Sequence, residues 1–431
     1  MGVRPHVVVI GAGFGGLVVA GGLAGSPVEV TLVDRHNFTT FQPLLYQVAT
    51  AGLNAADVAH PVRGLLQRQR NVRFRRGEVT DVDWQKRQIV LDSNADERIA
   101  FDHLVLATGA VATWFGIPGA EEHALPLYTL DDATEVRNHV IERFEAADAN
   151  SFGRDGTDAA LTFVVVGGGP TGVEMAGALA ELFAVVFRRD YPHLDLARAR
   201  VVLVEATDAL LPSYHASSQR HAAAALRARG VEVRLGEMVA EVTPDHVRFA
   251  SGEVLPTQTV IWAAGVRAHP LGEALGLETG PGGRVVVGPD LAVPRHEGVW
   301  AIGDVAAPLD RRGGVLPQLA PVAMQSGAHV ARQIQRGIDG KPTQPFRFTD
   351  RGIMATIGRH AAVAELPGRI RLHGPLAWLA WLGLHLLYLA GLRNRASVLL
   401  NWAWSYLTWD RGPRIILRPN RRRRRTPVAP R

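Results

Sequence analysis

Cysteine is absent from all 431 residues of this chain. Without thiols, the protein cannot form a disulfide, a thiolate zinc site, a cysteine-held iron–sulfur cluster or a catalytic dithiol. Lysine is almost absent too, because Lys86 and Lys341 are the only lysines among 47 basic residues. Hydrophobic residues make up 47% of the chain and charged residues 20%. This balance excludes a largely disordered or coiled-coil protein, and the length predicts two or three domains.

A glycine-rich turn follows the first apolar segment of the chain. Residues 7–10 are β-branched and apolar, which predicts a buried strand, and a helix is predicted at 14–24. The turn matches the G-x-G-x-x-G pattern, in which glycines let the backbone approach a pyrophosphate at a helix N-terminus. Asp34 ends the next predicted strand, where a carboxylate can accept hydrogen bonds from a ribose diol. The turn consists of Gly11, Ala12, Gly13, Phe14, Gly15 and Gly16.

The same arrangement returns 156 residues later, at Gly167. A strand predicted at 161–166 leads into a second turn, a helix is predicted at 171–187, and the following strand ends in Glu205. The carboxylate of Glu205 favours a free ribose 2′-hydroxyl and repels a 2′-phosphate, so we predict NADH rather than NADPH. Two such units predict a tightly held FAD in the first and a diffusing NADH in the second. The second turn contains Gly167, Gly168, Gly169, Pro170, Thr171 and Gly172.

Two further turns end predicted strands near the first motif. Thr108 and Gly109 follow a strand predicted at 101–108, and Gly303 and Asp304 follow an apolar strand that begins near Gly298. We predict that both turns contact the flavin, and an ordinary solvated turn is the alternative for each. The succession of strands and helices predicts an α/β fold with two dinucleotide-binding domains.

The C-terminal part differs from the rest in composition. Residues 376–392 are nearly all apolar apart from His385, and five of the nine tryptophans lie between Trp378 and Trp409. About 17 residues is short of the roughly 20 that a helix needs to cross a bilayer. An interfacial anchor, a spanning helix and a buried core helix all remain open, and the tryptophans and basic flanks favour the anchor.

Five consecutive arginines at 421–425 carry much of the net charge of +6. Such a run can contact the phosphates of lipid or of nucleic acid. No aromatic-interleaved basic module accompanies it, so we expect anionic lipid and no nucleic acid. The N-terminal residues lack a signal-peptide pattern, which predicts a cytoplasmic location.

The absence of cysteine limits the ways in which electrons can leave a reduced flavin. Flavin disulfide reductases share the two-dinucleotide layout but relay electrons through a dithiol, which this chain lacks. A reduced flavin must therefore pass its electrons directly to an external acceptor. The apolar, tryptophan-rich C-terminal segment indicates an acceptor that is reached at a membrane.

These features resemble the type II NADH dehydrogenases, which are single-chain, non-pumping NADH:quinone oxidoreductases. The resemblance covers nearly the whole chain. Its most specific segments are FQPLLYQVA at 41–49, GPTGVEMAG at 169–177, WAAGV at 262–266, AIGD at 301–304, MATIGR at 354–359 and AWLAW at 377–381.

The resemblance implies a division of the chain into two Rossmann-like domains and a helical, membrane-associated end. The FAD-binding domain is expected at 1–118 and 298–365, with the NADH-binding domain at 119–297 inserted into it. Residues 366–431 are expected to form a membrane-anchoring region with a basic tail. The resemblance also implies a homodimer, bound peripherally to the cytoplasmic face of the cell membrane.

Site residues follow from the same resemblance. In family members, the glutamate matching Glu174 lies near the flavin and the quinone or nicotinamide. Buried there, it would have a raised pKa and could deliver protons to quinone, although a helix residue paired with arginine is the alternative. Gln325 matches a family glutamine that serves flavin and quinone, and a position on the helix surface is the alternative. Pro321 replaces a glutamine of many members, which leaves the hydrogen bonds to quinone there open.

The remaining assignments complete the predicted sites. His360 and His385 are each isolated, so we expect structural roles, and no cluster of ligands predicts a metal site. To the FAD site the resemblance adds Arg35, Gln42, Val79 and Ala323, and to the NADH site it adds Ala264 and Gly265.

We therefore predict flavin-dependent oxidation of NADH with reduction of a membrane quinone. Two other functions remain open. One is a soluble NADH-dependent reductase for an iron–sulfur protein or an oxygenase, which would not need the apolar end. The other is an NAD-responsive membrane-bound sensor without catalysis. The sequence does not indicate which quinone is used.

Overall fold

The computed structural model describes residues 4–92, 97–149, 153–408 and 412–417. Most of the fold rests on two parallel sheets of five strands each. The arginine run at 421–425 and Trp409 lie outside the described residues.

The first sheet is built around the strand His6–Ile10, in which Val7, Val8 and Val9 are fully buried. Because both faces of this strand are buried, its sequence is continuously apolar and does not alternate between apolar and polar residues. All the pairings in this sheet are parallel. In spatial order, its strands are Val299–Ala301, His103–Leu106, His6–Ile10, Glu29–Asp34 and Val72–Arg76.

The second sheet repeats this design with Thr162–Val166 at its centre, buried along its whole length. Its pairings are again all parallel. In spatial order, its strands are Leu125–Pro126, Thr259–Trp262, Thr162–Val166, Arg200–Glu205 and Glu232–Leu235.

Each central strand is followed at once by a glycine-rich turn and a helix. The first of these helices is Phe14–Gly22, which packs against the long helix Ala320–Ile338. The second is Pro170–Glu181, and it continues as a π-helix at Leu182–Phe187. The expected helix at 171–187 is therefore present, but its second part is more loosely wound than an α-helix.

Shorter elements complete the two units. Among the described residues before 320, the other α-helices are Leu45–Ala49, Ala55–Val58, Val62–Leu66, Ala120–His123, Leu130–Asp148, Gly153–Ala160, Arg188–Asp190, Ala216–Arg227 and Leu271–Ala274. The strands outside the two main sheets, also before residue 320, are Phe38–Thr40, Ala59–Pro61, Val79–Asp83, Gln88–Leu91, Arg98–Ala100, Ala110–Ala112, Val239–Val242, His246–Phe249, Val254–Pro256, Val266–Ala268, Val285–Val286 and Ala306–Ala307.

The C-terminal part begins with an antiparallel sheet of three strands, Ile353–Gly358, Ala361–Leu366 and Ile370–His373. Two helices follow, Gly374–Tyr388 and Leu392–Thr408, which we call the C-terminal helices. The apolar run at 376–392 is thus not one helix. It breaks after Tyr388, where the backbone becomes extended at Leu389 and Gly391 adopts a φ of +81°.

On the C-terminal helices, three tryptophans are buried and eight leucines are exposed. Trp378, Trp381 and Trp402 are buried against the rest of the protein, whereas Trp404 is exposed. The exposed leucines on the two helices are Leu376, Leu379, Leu384, Leu387, Leu392, Leu399, Leu400 and Leu407. Water-facing leucines in such number are unusual for a soluble protein surface and mark an interaction face.

Polar contacts fix the second C-terminal helix to the segment at 47–59. The Asp57 carboxylate accepts hydrogen bonds from Ser397 Oγ (2.6 Å) and Asn401 Nδ2 (2.9 Å). Trp402 Nε1 donates to Gln47 Oε1 at 2.7 Å. A buried carboxylate with several donors is costly to expose, so these bonds hold the helix in one position.

Only one helical stretch among the described residues, Pro170–Asp190, is long and apolar enough to cross a bilayer. Its most apolar window is 72% buried inside the protein. It is the core helix of the second unit.

Candidate functional site

The first glycine turn is closed by backbone contacts that tolerate no side chain. Gly11 has a φ of +105° and donates its N–H to the Val33 carbonyl at 2.8 Å. A Cβ atom at Gly11 would lie 2.3 Å from the Ala107 oxygen, and one at Gly16 would lie 1.9 Å from the Gly11 oxygen. Both positions must be glycine for the strand, turn and helix to pack this closely.

Gly13 lies on the opposite, open side of the same turn. A Cβ atom there would meet no protein atom within 4 Å. Beside it, the Asp34 carboxylate accepts hydrogen bonds from the N–H groups of Ala12 (2.7 Å) and His36 (2.8 Å). The turn therefore presents free space at the N-terminus of a helix, next to a carboxylate in a fixed orientation, as a dinucleotide requires.

The second turn reproduces these contacts almost atom for atom. Gly167 donates to the Val204 carbonyl at 2.8 Å, and a Cβ atom at Gly172 would lie 1.8 Å from the Gly167 oxygen. Gly169 is open in the same way as Gly13. The Glu205 carboxylate accepts from the N–H groups of Gly168 (2.6 Å) and Thr207 (2.8 Å). Two equivalent dinucleotide sites are therefore built into one chain.

A cleft of about 620 Å³ extends from the first turn across the carboxyl ends of the first sheet. Gly16 lies behind the turn, where its role is close packing, and Gln325 is not among the lining residues. The other residues predicted for FAD all line the cleft: Gly11, Ala12, Gly13, Phe14, Gly15, Asp34, Arg35, Gln42, Val79, Thr108, Gly109, Gly303, Asp304 and Ala323.

Tyr128 also lines this cleft, and no motif pointed to it. Its hydroxyl donates to Asp304 Oδ2 at 3.4 Å and accepts from the Ala110 N–H at 3.2 Å. Burial raises the pKa values of both Tyr128 and Asp304. The only sequence signal was indirect, since Tyr128 precedes Thr129, which caps the helix Leu130–Asp148 through Asp132.

The Gln325 side chain is engaged away from the cleft. Its Nε2 donates to the Thr349 carbonyl and its Oε1 accepts from the Thr349 N–H, both at 2.9 Å. Pro321 lies in the first turn of the helix Ala320–Ile338, where the missing N–H leaves no helical bond unmade. The structure therefore does not bring Gln325 together with the other FAD residues.

Glu174 faces a second, smaller cavity of about 60 Å³. It is buried, and Oε1 accepts a hydrogen bond from the Thr356 N–H at 3.2 Å. Burial raises the pKa of Glu174 to about 8, and its contacts with the Thr356 amide and the Trp381 indole oppose that rise. The cavity is lined by Tyr46, Gln47, Thr50, Gly52, Glu174, Ala178, Glu181, Thr356, Gly358, Arg359, Trp378, Trp381, Trp402, Ser405 and Tyr406.

The two isolated histidines pack against tryptophans. His385 Nδ1 donates to the Trp381 carbonyl at 2.8 Å, and its ring stacks on the Trp381 ring with centroids 4.0 Å apart. Burial lowers the pKa of His385 to about 4, so the ring is neutral at neutral pH. His360 occupies a turn with a φ of +60° beside Trp378.

Models of known protein families match both parts of this chain. Residues 5–327 match the model of the pyridine nucleotide-disulphide oxidoreductases, and residues 351–409 match that of the NDH2 C-terminal domain. The fold and the paired turns thus define an oxidoreductase with two dinucleotide sites.

Similar individual proteins identify the family within this class of oxidoreductases. The chain is 38% identical over 425 residues to the type II NADH:quinone oxidoreductase Ndh of Mycobacterium tuberculosis, covering 96% of this chain and 90% of the relative. It is 31% identical to the type II NADH:quinone oxidoreductase of Staphylococcus aureus, covering 85% and 90%. A solved structure of NDH2 from Plasmodium falciparum in complex with NADH shares the fold, with a TM-score of 0.87 at 19% identity, covering 96% and 100%. The chain belongs to the type II NADH:quinone oxidoreductases.

A side chain at Gly13 should block the cofactor without disturbing the fold. We expect Gly13→Val to remain folded, because a Cβ atom there meets no protein atom, and to be isolated with little or no bound FAD. Absorbance at the flavin band, relative to protein, measures the loss.

Gly21→Ala is the matched control, because an added Cβ meets nothing there either and Gly21 belongs to the same helix. It should keep its FAD and gain about 1 kcal/mol of stability from helix propensity. Full flavin content in Gly13→Val would contradict the assignment of the open side of the turn.

Glu205 should determine the choice between NADH and NADPH. We expect Glu205→Gln to remove the charge that repels a 2′-phosphate and to keep one of the two backbone hydrogen bonds, because an amide has a single acceptor oxygen. The ratio of kcat/KM for NADH to that for NADPH should fall by about tenfold, or roughly 1.4 kcal/mol. Glu237→Gln, at a partly exposed position nearby, is the control, and an unchanged ratio in Glu205→Gln would reject the assigned role.

Proposed function

We propose that this chain oxidises NADH and reduces a membrane quinone without pumping protons. The observation that carries the proposal is the pair of matching glycine turns, one of which opens into the cleft of about 620 Å³. In addition, the chain has no cysteine to relay electrons and exposes a leucine-rich face on its C-terminal helices.

The residues of the cleft fit FAD. The open side of Gly13 leaves room for a pyrophosphate at the helix N-terminus, and Asp34 offers its carboxylate to the ribose. We assign the FAD-binding domain to 1–118 and 298–365. When bound, FAD supplies the two-electron chemistry that connects NADH to the quinone.

The second turn fits NADH. Glu205 is held by the turn's own N–H groups, so its carboxylate is pre-oriented toward a ribose diol, and we assign the NADH-binding domain to 119–297. Ala263 and Ala264 pack against Gly167, so a nucleotide there would pass close to Ala264 and Gly265. The relative from Plasmodium falciparum was solved with NADH, which supports this choice.

The C-terminal region at 366–431 is proposed as the membrane attachment. The exposed leucines of the C-terminal helices would enter the interfacial layer of one leaflet, as monotopic helices do. The arginine run would add attraction to anionic lipid at the cytoplasmic face. We also propose a homodimer, as the family resemblance implies.

Anaerobic half-reactions test the function directly. Addition of NADH to the flavin-loaded protein should bleach the flavin band, and a quinone analogue added next should restore it. A quinone that fails to restore the oxidised spectrum would overturn the proposal. Reoxidation by an iron–sulfur protein alone would favour a soluble reductase, and protein isolated without any flavin would favour a sensor.

The leucine face should be needed for membrane attachment but not for chemistry. Leu400, Trp404 and Leu407 are exposed at i, i+4 and i+7 of one helix, so they share a face. We expect the double variant Leu400→Ser, Leu407→Ser to bind phosphatidylglycerol vesicles at least tenfold more weakly, since each leucine contributes about 1.5 kcal/mol or more when buried.

Sedimentation with vesicles measures this binding, while reduction of a water-soluble quinone should be unchanged. Leu309→Ser, which alters an exposed leucine outside the C-terminal region, should bind vesicles as the wild type does. Equal vesicle binding by the double variant and the wild type would exclude this face as the attachment site.

A further inference from the structure

Phe115 is a large aromatic residue in an exposed position, with 65% of its surface accessible to solvent. It lies in the short segment between the strand Ala110–Ala112 and the helix Ala120–His123. Single apolar side chains are common on protein surfaces and need no explanation by themselves. Phe115 differs from such residues in its backbone conformation and in its place beside the second glycine turn.

The backbone at Phe115 is strained. Phe115 and Gly116 have φ values of +51° and +69°. The Ile117 N–H donates to the Trp114 carbonyl at 3.0 Å, which closes a turn of type I′. The first central position of this turn normally holds asparagine, aspartate or glycine, because a bulky side chain at a positive φ crowds the backbone. The sequence therefore places a large ring where the turn favours a small or polar residue.

The residues before Phe115 hold the turn against the second sheet. The Thr113 N–H donates to the Gly265 carbonyl at 3.2 Å, and the Thr113 carbonyl accepts from Trp262 Nε1 at 2.7 Å. The Trp114 ring packs on the Trp262 ring, with centroids 5.6 Å apart. The Phe115 ring lies on Gly265, where an added Cβ atom would be 3.1 Å from Phe115 Cζ. The ring is thus fixed over the end of the strand that precedes Gly265.

Gly265 lies on the side of the second glycine turn that is away from Glu205. In the second sheet, the strand that ends in Glu205 and the strand Thr259–Trp262 flank the central strand Thr162–Val166. With its adenosine ribose at Glu205 and its pyrophosphate at the glycine turn, NADH must extend its other half past Gly265. That half is the nicotinamide riboside, which carries the hydride.

The cleft assigned to FAD begins next to the same segment. The strand Ala110–Ala112 pairs antiparallel with Val266–Ala268, and all three residues of the first strand line the cleft of about 620 Å³. Phe115 follows the first of these strands, and Gly265 immediately precedes the second. Phe115 therefore lies between the second glycine turn and the flavin cleft, on the path that the nicotinamide takes to the flavin.

We propose that Phe115 is the apolar contact for the nicotinamide riboside half of NADH. The inference rests on the proposed function. An aromatic ring offers a large apolar surface for packing at little cost in side-chain entropy. The bonds of the flanking residues hold the ring in place before the substrate arrives, which lowers the cost of binding. Strained backbone of this kind persists where a side chain is needed at one particular point of a binding site.

Replacement of Phe115 by asparagine removes the ring and suits the turn. The full-length, flavin-loaded Phe115→Asn variant should bind NAD⁺ at least fivefold more weakly, and its unfolding temperature should equal or exceed that of the wild type. Binding of ADP should be unchanged, because ADP keeps the adenosine and both phosphates but lacks the nicotinamide riboside. Isothermal titration calorimetry measures both affinities without turnover, since neither ligand reduces the flavin.

Kinetic measurements separate this contact from the later transfer of electrons to the quinone. In Phe115→Asn, kcat/KM for NADH should fall at least fivefold, whereas a quinone should reoxidise chemically reduced flavin at the wild-type rate. Phe115→Tyr keeps the ring and should retain the affinity for NAD⁺. Val254→Ala, which removes an exposed apolar side chain from the strand Val254–Pro256, is the control and should behave as the wild type.

Phe115→Gly, which the turn also accepts, keeps the test decisive if Phe115→Asn does not fold. An affinity for NAD⁺ within twofold of the wild type in a folded variant without the ring would overturn the proposal. An equal loss of affinity for ADP and NAD⁺ would also overturn it, because the ring would then contact the adenosine half. Wild-type protein that NADH does not reduce would instead overturn the proposed function itself.

Discussion

The architecture depends on a backbone-to-backbone contact that occurs twice. At each turn, the first glycine touches the end of the neighbouring strand and the last glycine touches the first, at distances that exclude any Cβ atom. This contact brings the helix N-terminus to the carboxyl ends of the strands, where its unpaired N–H groups face a ligand. The cleft and the orientation of the ribose-binding carboxylates follow from it.

The two turns differ by one methylene group, with a consequence for the neighbouring residue. Asp34 reaches the N–H of Ala12, whereas the longer Glu205 reaches the equivalent N–H of Gly168. The side chains of Leu210 and Glu205 both crowd that residue, since a Cβ atom at Gly168 would be 2.7 Å from Leu210 Cδ2 and 2.9 Å from Glu205 Cβ and Cγ. Alanine is present at position 12, while these two side chains favour glycine at position 168.

The local parts of the site could be predicted from the sequence because glycine spacing and strand ends specify them. The residues of the second cavity could not, since Glu181, Arg359 and Ser405 meet only through tertiary packing. The break after Tyr388 could not be predicted either. Near this break Gly391 packs against His60, where an added Cβ atom would lie 2.7 Å from the ring, and this contact is between residues far apart in the sequence. Gln325 fitted a motif, yet its amide pairs with Thr349, and only the packed structure shows this.

The C-terminal helices connect the proposed membrane face to the interior. Eight of their leucines are exposed, while Trp402 donates to Gln47, whose Nε2 in turn donates to the Tyr46 hydroxyl at 2.8 Å. Tyr46, Gln47 and Trp402 all line the cavity of Glu174. The same helix that would rest on the bilayer thus forms a wall of that cavity. A displacement of this helix would break the bond between Trp402 and Gln47, so the shape of the cavity depends on the docked position of the helix.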